Sequence, residues 1–166
     1  MKLKQLTTNA LLTAIALTIF MIEAQIPAPI PIPGIKLGLA NIITVFAVFA
    51  FTPKDAFTIL MVRVFLGAVF SGQISTLMYS AAGGIFCLIS MIVVRKLLTS
   101  KQLWVASVIG AIFHNIGQIL VAILVTGTPS IAVYLPILMV SGMAAGLFTG
   151  LCTQVLYDKL IKNGAI

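Results

Sequence analysis

A membrane-spanning helix is predicted by the stretch 103-LWVASVIGAIFHNIGQILVAILV-125, which runs for 23 residues without a charged side chain. About 20 apolar residues are enough for a helix to cross the hydrocarbon core of a bilayer. Five further apolar stretches surround it, so we predict an all-α membrane protein of six transmembrane helices. The predicted spans run approximately from Leu6 to Ile26, Gly38 to Phe51, Ala56 to Ser71, Ile74 to Val94, Leu103 to Val125 and Ile131 to Tyr157.

The composition supports a membrane protein. Hydrophobic residues make up 61% of the chain and charged residues only 8%, whereas soluble domains average about 25% charged residues. The net charge of +7 would suggest nucleic acid as the partner of a soluble protein, but here it arises from short loops that face anionic lipid. We therefore predict a single integral membrane domain, residues 1–166, with the bilayer and not nucleic acid as its surroundings.

The basic residues are distributed unevenly between alternate loops. Eight of the ten lie where six consecutive helices would place the cytoplasm: Lys2, Lys4, Lys54, Arg95, Lys96, Lys101, Lys159 and Lys162. This is the pattern of the positive-inside rule. It predicts a multi-pass protein of the plasma membrane with both termini in the cytoplasm.

A proline-rich stretch, Pro27-Ala-Pro-Ile-Pro-Ile-Pro33-Gly34, follows the first span. Four prolines at alternate positions exclude a helix, because each lacks a backbone donor and fixes φ. The stretch is interpreted either as an outer lid over the bundle or as a rigid connector. Lys36 follows it and is the one outer loop cation, placed there either for an anionic ligand or to pair with Glu23.

Arg63 is predicted near the middle of the third span. A charge there costs about 2.5 to 3.5 kcal/mol even on the lenient insertion scale, so the side chain should face the bundle interior or a cavity. Gly67 and Ser71 follow it on the same helix face and would allow a ligand or another helix to approach. A purely structural role, such as bonding backbone carbonyls, is the alternative.

The fifth span carries the densest polar group, His114-Asn115-Ile116-Gly117-Gln118. Interhelical hydrogen bonding, worth roughly 0.6 kcal/mol per bond, explains one such residue more readily than three. No acidic residue is expected within helices 3 to 5 to form a proton relay with His114. Ligand contact is therefore favoured over proton pumping.

Small residues recur at helix-packing intervals. Gly142, Gly146 and Gly150 are spaced by four in the sixth span and are interpreted as an intramolecular packing surface. Ala10 and Ala14 have the same spacing in the first span, in the half where a partner protein could reach them.

Catalytic patterns are missing from the sequence. The three acids, Glu23, Asp55 and Asp158, lie far apart in the chain, whereas Mg²⁺-dependent diphosphate chemistry needs clustered oxygen ligands. There is also no phosphate-binding loop of the Gly-x-x-x-x-Gly-Lys type. We predict no catalytic residues, no metal site, no cofactor and no enzymatic activity of the chain by itself.

Four ordered motifs carry a family resemblance: Pro33-Gly-Ile-Lys-Leu-Gly-Leu-Ala-Asn-Ile42, Arg63-x-x-x-Gly67, Tyr79-Ser-Ala-Ala-Gly-Gly84 and His114-Asn-Ile-Gly-Gln118. They resemble the membrane family called Gx transporter, also known as heptaprenyl diphosphate synthase component I. That family is similar to the substrate-binding S components of energy-coupling-factor (ECF) vitamin importers.

The resemblance implies that the chain captures a small molecule from outside, such as a vitamin, a flavin or a quinone or isoprenoid precursor. A transmembrane coupling protein and ABC-type ATPases are the implied partners, with Ala10 and Ala14 facing the coupling protein. The implied substrate contacts are Lys36, Asn41, Arg63, Tyr79, His114, Asn115 and Gln118.

A second hypothesis makes the chain a noncatalytic membrane subunit associated with heptaprenyl diphosphate synthase or with a membrane redox system. A third, an autonomous ion-coupled carrier, is disfavoured by the small chain and its few intramembrane acids. The identity of the partner protein separates the first two hypotheses.

Overall fold

The computed structural model describes residues 3–26, 38–72 and 74–163, and of residues 74–76 it describes the backbone only. The proline-rich stretch and Lys36 lie outside the described residues. The described part contains six α-helices and one 3-10 segment, and it contains no strand. Their bounds are α1 Leu3–Glu23, α2 Asn41–Ala50, α3 Pro53–Ser71, α4 Ile74–Arg95, α5 Leu103–Thr126, the 3-10 segment Pro129–Tyr134 and α6 Leu135–Lys162. The predicted all-α fold is confirmed.

The short helix α2 lies at the centre of the bundle and contacts each of the other five helices. Its residues from Ile43 to Phe49 are all buried. An α-helix that is apolar on every side needs other helices around it. The remaining helices follow one another around α2, with α3 between α1 and α4, and α5 between α4 and α6.

Glycine determines how closely α5 approaches both of its neighbours. A Cβ atom on Gly117 would lie 2.9 Å from the Ala82 carbonyl oxygen of α4, and one on Gly146 would lie 2.8 Å from the Ala111 Cβ of α5. Such distances leave no space for a side chain. Gly142 and Gly150 also face α5, so the predicted intramolecular role of the glycine repeat in α6 is confirmed.

One end of the bundle is rich in basic residues, and we call it the basic end. Contacts between helix termini bring its parts together, since Arg95 at the end of α4 donates to the carbonyl oxygens of Val48 and Phe51 at the end of α2. The described basic residues here are Lys4, Lys54, Arg95, Lys96, Lys101, Lys159 and Lys162. The opposite end, where α1 finishes and α2 begins, is called the cavity end.

Four helices in the described part are long and apolar enough to cross a membrane: Leu3–Glu23, Leu77–Arg95, Leu103–Thr126 and Pro129–Lys162. Many large apolar side chains are exposed on the surface of the bundle, as expected where lipid and not water surrounds a protein. Helix α2 has ten residues, about 15 Å at the usual rise, too short to cross alone. The count of six spans and the orientation of the termini stay predictions.

Several helix boundaries differ from those predicted, and one difference is a correction. Helix α3 begins at Pro53, because Thr52 and Asp55 form a capping box that satisfies the first backbone N–H groups. Asp55 therefore lies within α3, and the prediction that helices 3 to 5 contain no acid is wrong. Asp55 is at the basic end, in the first turn, while His114 lies at the cavity end.

Candidate binding site

A small cavity lies at the cavity end of the bundle. Residues from α1, the turn before α2, α3, α4 and α5 converge on it: Phe20, Glu23, Gly38, Arg63, Ser80, His114 and Gln118. The space left among them has room for about one water molecule. Three residues predicted to contact a substrate are thereby brought together from two helices: Arg63 of α3 and His114 and Gln118 of α5.

Glu23 closes the cavity at the last residue of α1. Its side chain is buried, and its Oε1 accepts a hydrogen bond from the Gly38 backbone N–H at 2.5 Å, while Oε2 accepts from Ala40 N–H at 3.4 Å. Gly38 has a φ of +81°, a conformation that glycine adopts at little cost. The carboxylate thus joins the end of α1 to the turn that begins α2.

Arg63 is buried in the same wall, with 4% of its surface exposed. It lies near enough to Glu23 for the two opposite charges to attract each other, which reduces the penalty for placing either charge in an apolar bundle. The guanidinium Nε has no hydrogen-bond partner among the described residues. A buried N–H without an acceptor is unusual, so this donor is available to a ligand or a water molecule.

His114 is held between two glycines. A Cβ on Gly83 of α4 would lie 2.8 Å from His114 Cε1 and 2.9 Å from its Nδ1, and one on Gly38 would lie 3.6 Å from its Nε2. Any side chain at Gly83 would therefore displace the imidazole. The Nδ1 atom of His114 makes no hydrogen bond of ordinary geometry with a described residue, although the Gly83 backbone lies close enough to interact with the ring.

Two amide side chains at this end also have unpartnered oxygens. Gln118 is 1% exposed, and its Oε1 accepts no hydrogen bond from any described residue. Asn41 packs against Gly38 without lining the cavity. Its buried Oδ1 also accepts no hydrogen bond from any described residue. Both oxygens are acceptors that require an N–H or O–H group.

Two further predicted substrate contacts, Asn115 and Tyr79, do not line the cavity. Asn115 faces α6, where its amide donates to the Leu138 carbonyl oxygen and packs on Gly142. Tyr79 is buried on α4 beside Ser80. Lys36 lies outside the described residues.

Ala10 and Ala14 are both exposed on α1, whereas Asn9, Thr13 and Ala16 of the same helix are buried. The two alanines thus share an outward-facing surface of small residues. Such a surface permits close approach of another helix.

Of the seven described residues in the cavity wall, four were not predicted from the sequence: Phe20, Glu23, Gly38 and Ser80. Glu23 was interpreted only as a partner of Lys36, although it is the one acid of the chain at the cavity end. Ser80 and Gly83 belong to the Tyr79–Gly84 motif and could have been named from it. Phe20 offered no signal, because an apolar residue in an apolar helix is unremarkable before its packing on Gly67 is known.

A metal site is not supported by the described residues, because no three His, Cys, Asp or Glu side chains among them come together. Cys87 and Cys152 are both free thiols. The groups around the cavity are hydrogen-bonding groups with one guanidinium and one carboxylate, which suits the recognition of a polar organic molecule.

Comparison with known protein families identifies the family of the chain. Neither a curated protein nor a solved structure matches it significantly. A family model described as heptaprenyl diphosphate synthase component I matches residues 12–156, which includes every cavity residue. The chain therefore belongs to the heptaprenyl diphosphate synthase component I family.

Proposed function

We propose that the chain is the substrate-binding membrane subunit, or S component, of an ECF-type importer. In this role it captures a small molecule, such as a vitamin, a flavin or a quinone or isoprenoid precursor, at the cavity end. A transmembrane coupling protein and ABC-type ATPases would then drive its transport across the plasma membrane. The chain by itself has no catalytic role in this proposal.

The observation that carries the proposal is the set of unpartnered polar atoms around one cavity. Arg63 Nε, His114 Nδ1 and Gln118 Oε1 belong to side chains from two helices, and all three are buried without a described partner. Leaving a buried polar group unsatisfied costs roughly 1–3 kcal/mol. Three such groups in one place are hard to explain as packing, and a bound molecule would satisfy them.

A second observation concerns the partner surface. Ala10 and Ala14 are exposed on α1, and α1 contacts only α2 and α3 within the described bundle. One side of α1 is therefore open to another membrane protein. The small side chains would let a coupling protein approach the α1 backbone closely.

The experiment is a mild-detergent pull-down of the tagged chain from its native membrane, with mass spectrometry of the co-purifying proteins and small molecules. We expect ABC-type ATPases and a transmembrane coupling protein with the wild type, and their loss with Ala14→Trp. The matched control is Ala144→Trp, which adds the same bulk at an exposed alanine of α6 and should leave the complex intact. Equal recovery from both variants would exclude the α1 surface as the coupling site.

A second candidate function follows from the family description. The name component I favours association with another component of a prenyl diphosphate synthase, with this chain as its noncatalytic membrane subunit. The same pull-down tests it: a soluble synthase subunit without ATPases would support this function and contradict the importer.

A further inference from the structure

We infer that the cavity recognises the polar head of an uncharged or zwitterionic molecule that carries hydrogen-bond donors as well as acceptors, and that it rejects diphosphates. The inference rests on the proposed function, because it requires that a small molecule occupy the cavity. Two independent properties of the cavity wall indicate this substrate class.

The first property is its charge. Glu23 and Arg63 both line the cavity and attract each other, so the guanidinium is already accompanied by a carboxylate. A diphosphate would bring several negative charges into contact with Glu23, in surroundings where water does little to weaken the repulsion. Among the described basic residues, Arg63 alone is at the cavity, because the other seven lie at the basic end.

The second property is its hydrogen-bonding pattern. Gln118 Oε1 is an acceptor without a described donor. An ionised diphosphate has oxygen acceptors and no N–H group, so it would leave this amide oxygen unsatisfied. Arg63 Nε, by contrast, is a donor without a described acceptor.

A ligand that satisfies both unpartnered groups of the cavity wall therefore presents an acceptor oxygen to Arg63 and an N–H or O–H group to Gln118. Amides, ureides, hydroxylated rings and amino-acid groups have this combination. Because the present space holds about one water molecule, side chains around the cavity must move apart to admit such a group.

The test uses the purified full-length chain in mild detergent, with Lys36 unchanged throughout. Small molecules released by denaturation are identified by mass spectrometry, and thermal unfolding is followed with inorganic diphosphate and with geranyl diphosphate as probes. We expect an uncharged or zwitterionic molecule to be released and neither diphosphate to raise the Tm of the wild type. Replacing Glu23→Gln removes the repelling charge and should allow the diphosphates to raise the Tm, since a ligand that binds only the folded state stabilises it.

Two glutamine variants complete the test. Gln118→Met should reduce retention of the released molecule roughly tenfold, as expected for the loss of one hydrogen bond to a buried group. The matched control is Gln154→Met at the basic end, where both amide atoms already have protein partners, and retention should not change.

The outcomes separate the inference from the proposed function. A phosphorylated molecule released from the wild type, or a diphosphate that stabilises it through Arg63, would overturn the inference while leaving a substrate-binding subunit intact. If no small molecule is retained and no ATPase is recovered in the pull-down, the proposed function fails and the inference fails with it.

Discussion

The two ends of the bundle both contain a buried carboxylate, but the polar groups around them differ in how completely they are satisfied. At the basic end, Asp55 accepts hydrogen bonds from Gln5 Nε2 and Asn9 Nδ2, each at 2.8 Å, and from the Thr52 hydroxyl at 2.7 Å. We call these four residues the Asp55 cluster. Its carboxylate oxygens are fully engaged, and they join α1 to the start of α3.

At the cavity end, Glu23, Arg63, His114 and Gln118 form what we call the cavity cluster. Three of its members have a buried polar atom without a described partner, compared with one such atom, Asn9 Oδ1, in the Asp55 cluster. Polar groups that stabilise a fold are usually satisfied by the fold itself. The Asp55 cluster therefore holds α1 and α3 together through satisfied hydrogen bonds, whereas the cavity cluster retains unsatisfied polar atoms, as the proposed ligand site requires.

Loss of the Asp55 carboxylate should destabilise the fold more than any other change proposed below. Asp55→Ala removes the acceptor of three side-chain donors and half of the capping box, so the free energy of unfolding should fall by about 3 kcal/mol. The measurement is thermal unfolding in detergent. Asp158→Ala is the control, because Asp158 is exposed at the same end and should change stability by less than about 0.5 kcal/mol. Equal losses would mean that the Asp55 cluster has no special structural role.

The next prediction concerns ligand binding by the cavity cluster. Arg63→Met should weaken retention of the co-purifying small molecule roughly hundredfold, because it removes a charged donor from the cavity. Arg95→Met removes an equal charge at the basic end, where the side chain bonds α2 carbonyls. It should lower the Tm and leave retention unchanged. Equal changes in retention for the two arginine variants would contradict a binding role specific to the cavity cluster.

Alanine substitution of a glycine beside the cavity should weaken ligand retention by a smaller factor. Gly83→Ala would place a methyl group 2.8 Å from His114 Cε1, so the imidazole must shift and retention should fall about tenfold. Gly146→Ala creates a similar clash with Ala111 in the α5–α6 interface. We expect it to lower the Tm without changing retention. Loss of retention in both variants would indicate a general loosening of the bundle.

The smallest effect concerns pH. Hydrogen bonds from the Thr52 hydroxyl and from the Asn9 and Gln5 amides hold the pKa of Asp55, in the first turn of α3 at the basic end, below its ordinary value of 3.8. A carboxyl whose pKa is lower in the folded state stabilises the fold above its unfolded value, and this contribution is lost as the pH falls through the folded value. The Tm of the wild type should therefore drop below about pH 4, and Asp55→Asn should reduce that drop. An unchanged acid profile would contradict the assignment.

Much of the fold could be predicted because hydrophobicity and loop charge act locally. Apolar stretches identified the six α-helices of the described residues, and the resulting all-α architecture is confirmed. Boundaries were less accurate where side-chain caps decide them, as with Thr52 and Asp55 at the start of α3. The 3-10 segment Pro129–Tyr134 before α6 was likewise not predicted.

The amino-acid sequence alone predicts that Arg63, His114 and Gln118 face the interior of the bundle, because polar side chains are costly in contact with lipid. Which residues surround them depends on helix packing. It brings the three to one cavity with Glu23, whose role depends on how the end of α1 meets the turn at Gly38. It also turns Asn115 toward α6, although that residue is next to His114 in the chain. The physical reason is that residues one apart on a helix point about 100° from each other, so only helix packing determines which of them faces the cavity.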